Sequence, residues 1–261
     1  MIDITLNLLG PIEATLNGQQ ITFPYEKLQV LLAYLMVESN RRHHRQHLAS
    51  LLWTDQDEAD ARSNLRKALY ILRRLLNSSP SDAPLFFATR NTVQFNFRGN
   101  CCRLDTIIFT EQIHSYHQYV LQPSMFYASH ISNLEQAIAL YRGPFLGQVR
   151  LPDSKILKDW VMLHRQCFHQ LAMDACTKLI GYYESRHQDK AQYYTQRQHE
   201  LEGWNETTHQ HLTQTSISRK HHTLQQGNHH EVGNHKPTTQ AEKAEKDGDK
   251  TQSAKKLVLL I

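Results

Sequence analysis

The sequence predicts a mixed fold: an α+β region at the N-terminus, an all-α region behind it, and a disordered C-terminal tail. Three observations carry that prediction. Short apolar segments open the chain and are split by Gly10-Pro11 and Asn17-Gly18, whereas helical apolar spacing runs through most of Leu104 to Glu200. After about His211, Gln, Thr, His, Lys and Gly dominate, and too little apolar surface remains to offset the entropy of ordering the chain.

The first elements are three strands, Ile4 to Leu9, Ile12 to Leu16 and Gln20 to Phe23, with Asn17-Gly18 as a two-residue hairpin signal. An amphipathic helix follows over Tyr25 to Glu38, where Leu28, Leu31, Leu32, Leu35 and Met36 recur at three- and four-residue steps. The basic turn Asn40 to His44 leads to a short second helix, Arg45 to Trp53, carrying Leu48, Leu51, Leu52 and Trp53. A third helix spans Asp57 to Asn77, with Asp55 as candidate cap and Asp57, Glu58 and Asp60 near its start, where the helix dipole favours acids. At 100° per residue, its Ala61, Leu65, Ala68, Leu69, Leu72, Leu75 and Leu76 share one arc. The linker Ser78 to Pro84 ends it, and a hairpin of Leu85 to Ala88 and Thr92 to Phe97 turns at Arg90-Asn91. Helices are then expected over Leu104 to Leu121, Ile131 to Tyr141, Ile156 to Arg186 and Lys190 to Glu200, as in a helical-repeat stack. The domains expected are residues 1–99, 100–212 and a tail at 213–261.

Composition excludes more than it assigns. The net charge of +4 is too small to name a partner. Apolar runs such as Val30 to Val37 fall short of the roughly 18 residues of a membrane helix, and Met1 to Thr5 lacks a secretory pattern, so a cytoplasmic protein with no membrane partner is expected. The 4 cysteines, with Cys101 and Cys102 adjacent and Cys167 and Cys176 apart, match no disulfide framework or zinc spacing. Among 17 histidines, the pairs His43/His47 and His164/His169 lack the H-E-x-x-H pattern and a carboxylate third ligand. No metal site, cofactor or catalytic centre is expected: Ser63 sits in no nucleophile elbow, and no G-x-x-x-x-G-K-[ST] phosphate loop occurs.

The distribution of charge is more telling. Arg41, Arg42, Arg45, Arg62, Arg66, Lys67, Arg73 and Arg74 lie within one stretch, whose acids Asp55, Asp57, Glu58 and Asp60 gather at the start of the third helix. Opposite the leucine arc stand Arg62, Ser63, Arg66, Lys67, Tyr70, Arg73 and Arg74, an electrostatic footprint suited to phosphates and base edges. A solvated face is the commoner meaning of such a pattern. The context of strands, consecutive helices and a basic hairpin favours double-stranded DNA, with Arg41 and Arg45 suited to phosphate and Arg90 to the adjacent minor groove.

Specific motifs add a family resemblance. Leu8-Leu9-Gly10-Pro11, Leu31-Leu32-Ala33-Tyr34-Leu35, Leu51-Leu52-Trp53 and Ala61-Arg62-Ser63-Asn64-Leu65-Arg66-Lys67-Ala68-Leu69 resemble the OmpR/PhoB-type winged helix of AfsR/SARP regulators. Ala139-Leu140-Tyr141-Arg142-Gly143-Pro144-Phe145-Leu146, Trp160 and Leu201-Glu202-Gly203-Trp204-Asn205-Glu206 resemble the bacterial transcriptional activator domain that follows it. The resemblance implies a third helix in the major groove, a wing, and a tetratricopeptide-like helical domain used in homodimer contacts. It also implies promoter direct repeats as target and recruitment of RNA polymerase, faced here by Thr54, Asp55, Gln56 and Asp57. The family's helical domain continues beyond the point matching Leu212, so a truncated domain is expected. The competing expectation is a helical-repeat protein-interaction scaffold whose winged helix binds no DNA.

Overall fold

The computed structural model describes residues 3–76, 84–97, 101–120 and 127–204. The tail expected at 213–261 lies outside them, as do Asn77, Leu121 and all of the linker expected at 78–84 except Pro84. All the described residues belong to one unit, Met1–Trp204. They form two small sheets in the N-terminal part and a helical C-terminal part.

Strand β1 (Asp3–Asn7) buries Ile4 and Leu6 and pairs antiparallel with β2 (Glu13–Leu16). Asn17 (φ +51°) and Gly18 (φ +79°) both take the left-handed conformation of a two-residue hairpin turn. Leu16 and Gln19 pair across that turn, so β3 (Gln19–Gln20) is shorter than the Gln20 to Phe23 strand expected. The other edge of β1 is covered by β7 (Cys101–Leu104), which pairs with it in parallel from Asp3↔Cys101 to Leu6↔Leu104. The sequence reading had no strand there, and the sheet it completes reaches past residue 99.

Helix α1 (Glu26–Val37) buries an unbroken run from Val30 to Met36, because neighbours cover it all round and not on a single stripe. A two-residue strand, β4 (His43–His44), precedes α2 (Arg45–Leu52); α3 (Glu58–Leu76) packs on both α1 and α2. The expected cap moves by two residues. Asp57, not Asp55, supplies the oxygen that accepts the Asp60 N–H at 2.8 Å, and its carbonyl accepts the first intrahelical bond, from Ala61, at 2.9 Å. Strands β5 (Phe86–Ala88) and β6 (Thr92–Phe95) form the expected hairpin, and β4 adds to β6, giving the order β4-β6-β5.

The helical part comprises α4 (Asp105–Val120), α5 (Tyr127–Leu140), α6 (Lys155–Tyr183) and α7 (188–204). Ser154 caps α6 by accepting the Leu157 N–H at 3.3 Å. One carboxylate joins three helices: Glu135 of α5 accepts from Tyr183 of α6 (2.9 Å) and from Lys190 (2.8 Å) and Tyr194 (3.3 Å) of α7. Tyr183 and Tyr194 are buried, whereas the neighbouring Tyr193 is exposed.

Main-chain bonds tie this part to the N-terminal sheet. The Leu9 carbonyl accepts from Arg142 N–H (3.1 Å), the Leu8 carbonyl from Leu146 (2.9 Å), the Pro144 carbonyl from Gly10 (3.2 Å) and the Gly10 carbonyl from Gly147 (3.2 Å). This approach needs glycine on both sides. Gly10 has φ +120°, and a Cβ on Gly143 would sit 3.0 Å from the Gly10 Cα. Arg165 of α6 braces the loop, donating Nε to the Phe145 carbonyl and Nη2 to that of Leu146, each at 2.7 Å. Asp105 closes the joint from α4, its Oδ2 accepting the N–H groups of Leu8 (2.7 Å) and Leu9 (2.8 Å). Burial pushes this carboxyl up to about 6, against the N–H groups of Leu9, Leu8 and Thr106 that hold it down.

Two outcomes are expected. Gly143→Ala forces backbone from backbone and lowers stability by about 1–3 kcal/mol, whereas Gly18→Ala, which meets nothing within 4 Å, costs only the left-handed strain, about 1 kcal/mol; thermal melts followed by circular dichroism compare them. Asp105 titrates at an ordinary 3.8 when unfolded and at about 6 when folded. Its contribution to stability is therefore complete below the lower value and is lost as pH rises through the higher one. Urea unfolding across that window should show Asp105→Asn lacking this component of the decline; a variant-minus-parent difference independent of pH would exclude Asp105 as its source.

Candidate nucleic-acid interface

The helix that carries the candidate residues is pinned by its apolar side. Ala61, Leu65, Ala68, Leu69, Leu72 and Leu76 are buried, and Leu75 is half-buried. On the opposite side Arg62, Arg66, Lys67, Tyr70 and Arg74 are exposed, while Ser63, Asn64 and Arg73 are half-buried. The 3.6-residue period thus separates the two chemistries within one element.

The exposed residues are not equivalent. Arg62 is ion-paired with Glu58 one turn earlier, and Glu58 also accepts from Gln46 of α2 at 2.9 Å. Asn64 donates to Gln56. Arg74 lies over the Tyr70 ring at 5.9 Å and Arg73 over Phe86 of β5 at 5.7 Å. Arg66 and Lys67 make no ion pair among the described residues.

Arg45 opens α2 and touches the hairpin. Its backbone N–H donates to the Asn91 carbonyl (2.8 Å) and its Nε to the Thr89 carbonyl (3.1 Å). Burial lowers its pKa, and the positive charges of Arg73 and Arg66 lower it further. Positive charge on α3 thus acts on the residue that opens α2, and an anion bound near these guanidinium groups relieves their repulsion. The hairpin tip is shaped by Thr89, which sequence reasoning did not single out. Its Oγ1 accepts the N–H groups of Asn91 (3.3 Å) and Thr92 (3.0 Å), and leaves Arg90 exposed.

Two expected contacts have other partners here. Arg41 pairs with Glu38 at 2.8 Å. In the exposed loop Thr54 to Asp57, Asp57 serves as the α3 cap, Gln56 accepts from Asn64, and Asp55 lies 3.8 Å from Lys27. Among the described residues no group of three His, Cys, Asp or Glu side chains could hold a metal ion, and no helix is long and apolar enough to cross a membrane. His43 and His164 are buried, and burial pushes both imidazoles below their ordinary value.

Residues 125–219, which include α5, α6 and α7, match the bacterial transcriptional activator domain. That match lies in the helical part and covers less than half of the chain. Among solved structures the chain is similar to Mycobacterium tuberculosis EmbR in complex with a low affinity phosphopeptide, with a TM-score of 0.52 and 20% identity. The similarity covers 78% of this chain and 58% of that one, so this chain spans less than two thirds of its relative's length. At that identity the likeness is one of fold. No curated protein matches the chain.

Proposed function

We propose that the N-terminal part is an OmpR/PhoB-type winged helix that binds promoter DNA, with α3 in the major groove and the β5–β6 hairpin as the wing. The observation that carries this reading is that Arg45 of α2 and Arg73 of α3 both touch the β5–β6 hairpin, together with exposed Arg66, Lys67 and Arg74 on the free face of α3. Arg62, Ser63, Arg66, Lys67 and Tyr70 face the bases, Arg45, Arg73 and Arg74 the phosphates, and Arg90 the minor groove. Arg62 exchanges Glu58 for its DNA partner on binding. Arg41 stands apart, its guanidinium already seated on Glu38.

The helical part, read as tetratricopeptide-like, joins two copies on direct repeats. The exposed loop Thr54 to Asp57 faces RNA polymerase, its acidity suiting a protein partner better than phosphate. Such a regulator works in the cytoplasm and needs no catalytic centre or cofactor.

Fluorescence anisotropy with a labelled duplex tests the reading. Affinity should fall steeply with salt, by a slope of about 0.9 for each phosphate contacted. Arg66→Ala should cost about 1–3 kcal/mol on a site selected from a random pool and relax specificity at one base pair, whereas Arg74→Ala weakens all sequences alike. Salt-insensitive binding, or none, leaves the protein-interaction scaffold as the better account.

A further inference from the structure

The corner after α1, at Glu38 and Ser39, is contacted from both sides of the molecule. From the helical part, Trp160 of α6 donates its Nε1–H to Glu38 Oε1 at 2.8 Å, while its ring lies 5.0 Å from that of Tyr34. From the second sheet, Gln94 of β6 donates to the Ser39 carbonyl at 2.8 Å, and His43 Nε2 meets the Glu38 carbonyl at 3.0 Å before β4 pairs with β6. The remaining carboxylate oxygen, Oε2, holds Arg41 at 2.8 Å.

The two ends of that ion pair differ in exposure. The Glu38 side chain is only 15% exposed and is fixed by the indole, whereas that of Arg41 is 59% exposed, in the turn that leads to Arg45 at the start of α2. A partly buried, oriented carboxylate is a strong competitor for a guanidinium, so a phosphate reaching Arg41 must displace one good anion to become another.

We propose that Glu38 is a positioning residue that masks Arg41 from the DNA backbone, and that Trp160 of the activator-domain part keeps the mask in place. The inference rests on the winged-helix reading above. It makes the charge available to DNA depend on how α6 sits against α1, through one indole N–H and one carboxylate. Oε1 is held by the indole and Oε2 by the guanidinium, so movement of Trp160 loosens the grip on Arg41 without any change in α3.

The test uses the full chain and a labelled random duplex in a salt series. Glu38→Gln keeps the shape and an acceptor for Trp160 but removes the charge. It should tighten binding roughly three- to tenfold and steepen the log–log salt slope by about 0.9, the signature of one more phosphate contact. Arg41→Ala should cost more in the Glu38→Gln background than in the unaltered protein, a coupling that a merely structural glutamate does not produce. Trp160→Phe, which keeps a ring against Tyr34 but no N–H, should move the slope the same way by less. An unchanged or shallower slope in Glu38→Gln, or a gain that survives loss of Arg41, overturns the masking; an unchanged slope in Trp160→Phe overturns the link to the helical part. If the unaltered protein binds no duplex the winged-helix reading falls, whereas salt-steep binding by the unaltered protein with a flat response to Glu38→Gln sinks only the masking.

Discussion

The fold depends on the place where the backbone of Leu8-Leu9-Gly10 meets that of Arg142 to Gly147. Four main-chain bonds cross there, and no side chain fits between Gly10 and Gly143. Buried peptide groups must be paired, so each strand end that stops at this joint relies on the other to satisfy it. Asp105 and Arg165 serve the same need with side chains: one accepts the N–H groups of Leu8 and Leu9, the other donates to the carbonyls of Phe145 and Leu146. A carboxylate and a guanidinium are thereby buried in fixed orientation for the sake of backbone atoms. Two of the peptide motifs that resemble a known family, Leu8 to Pro11 and Ala139 to Leu146, hold the two halves of this joint.

The position of the basic face follows from the packing around α1. That helix buries Val30 to Met36 without a break and touches α3 and β6. The leucine side of α3 is held inward, and the arginines are left outward beside the β5–β6 hairpin. Arg45 then couples the hairpin tip to the start of α2 through Thr89 and Asn91, so the tip and the helix are set by one residue. Charge on this surface is graded, not uniform: Arg62 and Arg41 answer to carboxylates, Arg73 and Arg74 lie over rings, and Arg66 and Lys67 carry their charge unpaired among the described residues.

What local pattern could reveal, it revealed. The Asn17-Gly18 turn needs two left-handed residues, and the sequence supplies the pair best suited to them. The α3 stripe is legible because a helix buried on one side writes its period into nineteen consecutive residues. The strands β4 and β7 were not legible, since two and four residues give no alternation to read and exist only through their partners Val93, Thr92 and the β1 edge. The cap of α3 was misplaced because Asp55 and Asp57 are equivalent in composition, and only the Asp60 N–H distinguishes them. The candidate arginines were found as residue types, but their pairing was not. Arg62 with Glu58 lies within reach of a helical rule, whereas the Glu38 carboxylate is governed by Trp160, 122 positions away.

The two links between the parts differ in kind, and the difference bears on how a regulator is built. The Gly10–Gly143 joint is made of main chain, which every substitution leaves in place unless it adds bulk, and Leu8, Leu9, Gly10, Gly143 and Leu146 are buried in it. The Trp160–Glu38 link is made of side chains at a partly exposed corner, where water and phosphate compete for the same groups. A rigid joint holds the helical part at a set place on the sheet; a weak one near the basic turn is the contact that can open while the other stays shut. Because the Glu38–Ser39 corner also takes bonds from Gln94 and His43, an opening there is felt by the hairpin sheet as well as by Arg41. The same geometry that fastens the helical part to the sheet thus leaves one polar contact free to respond to it.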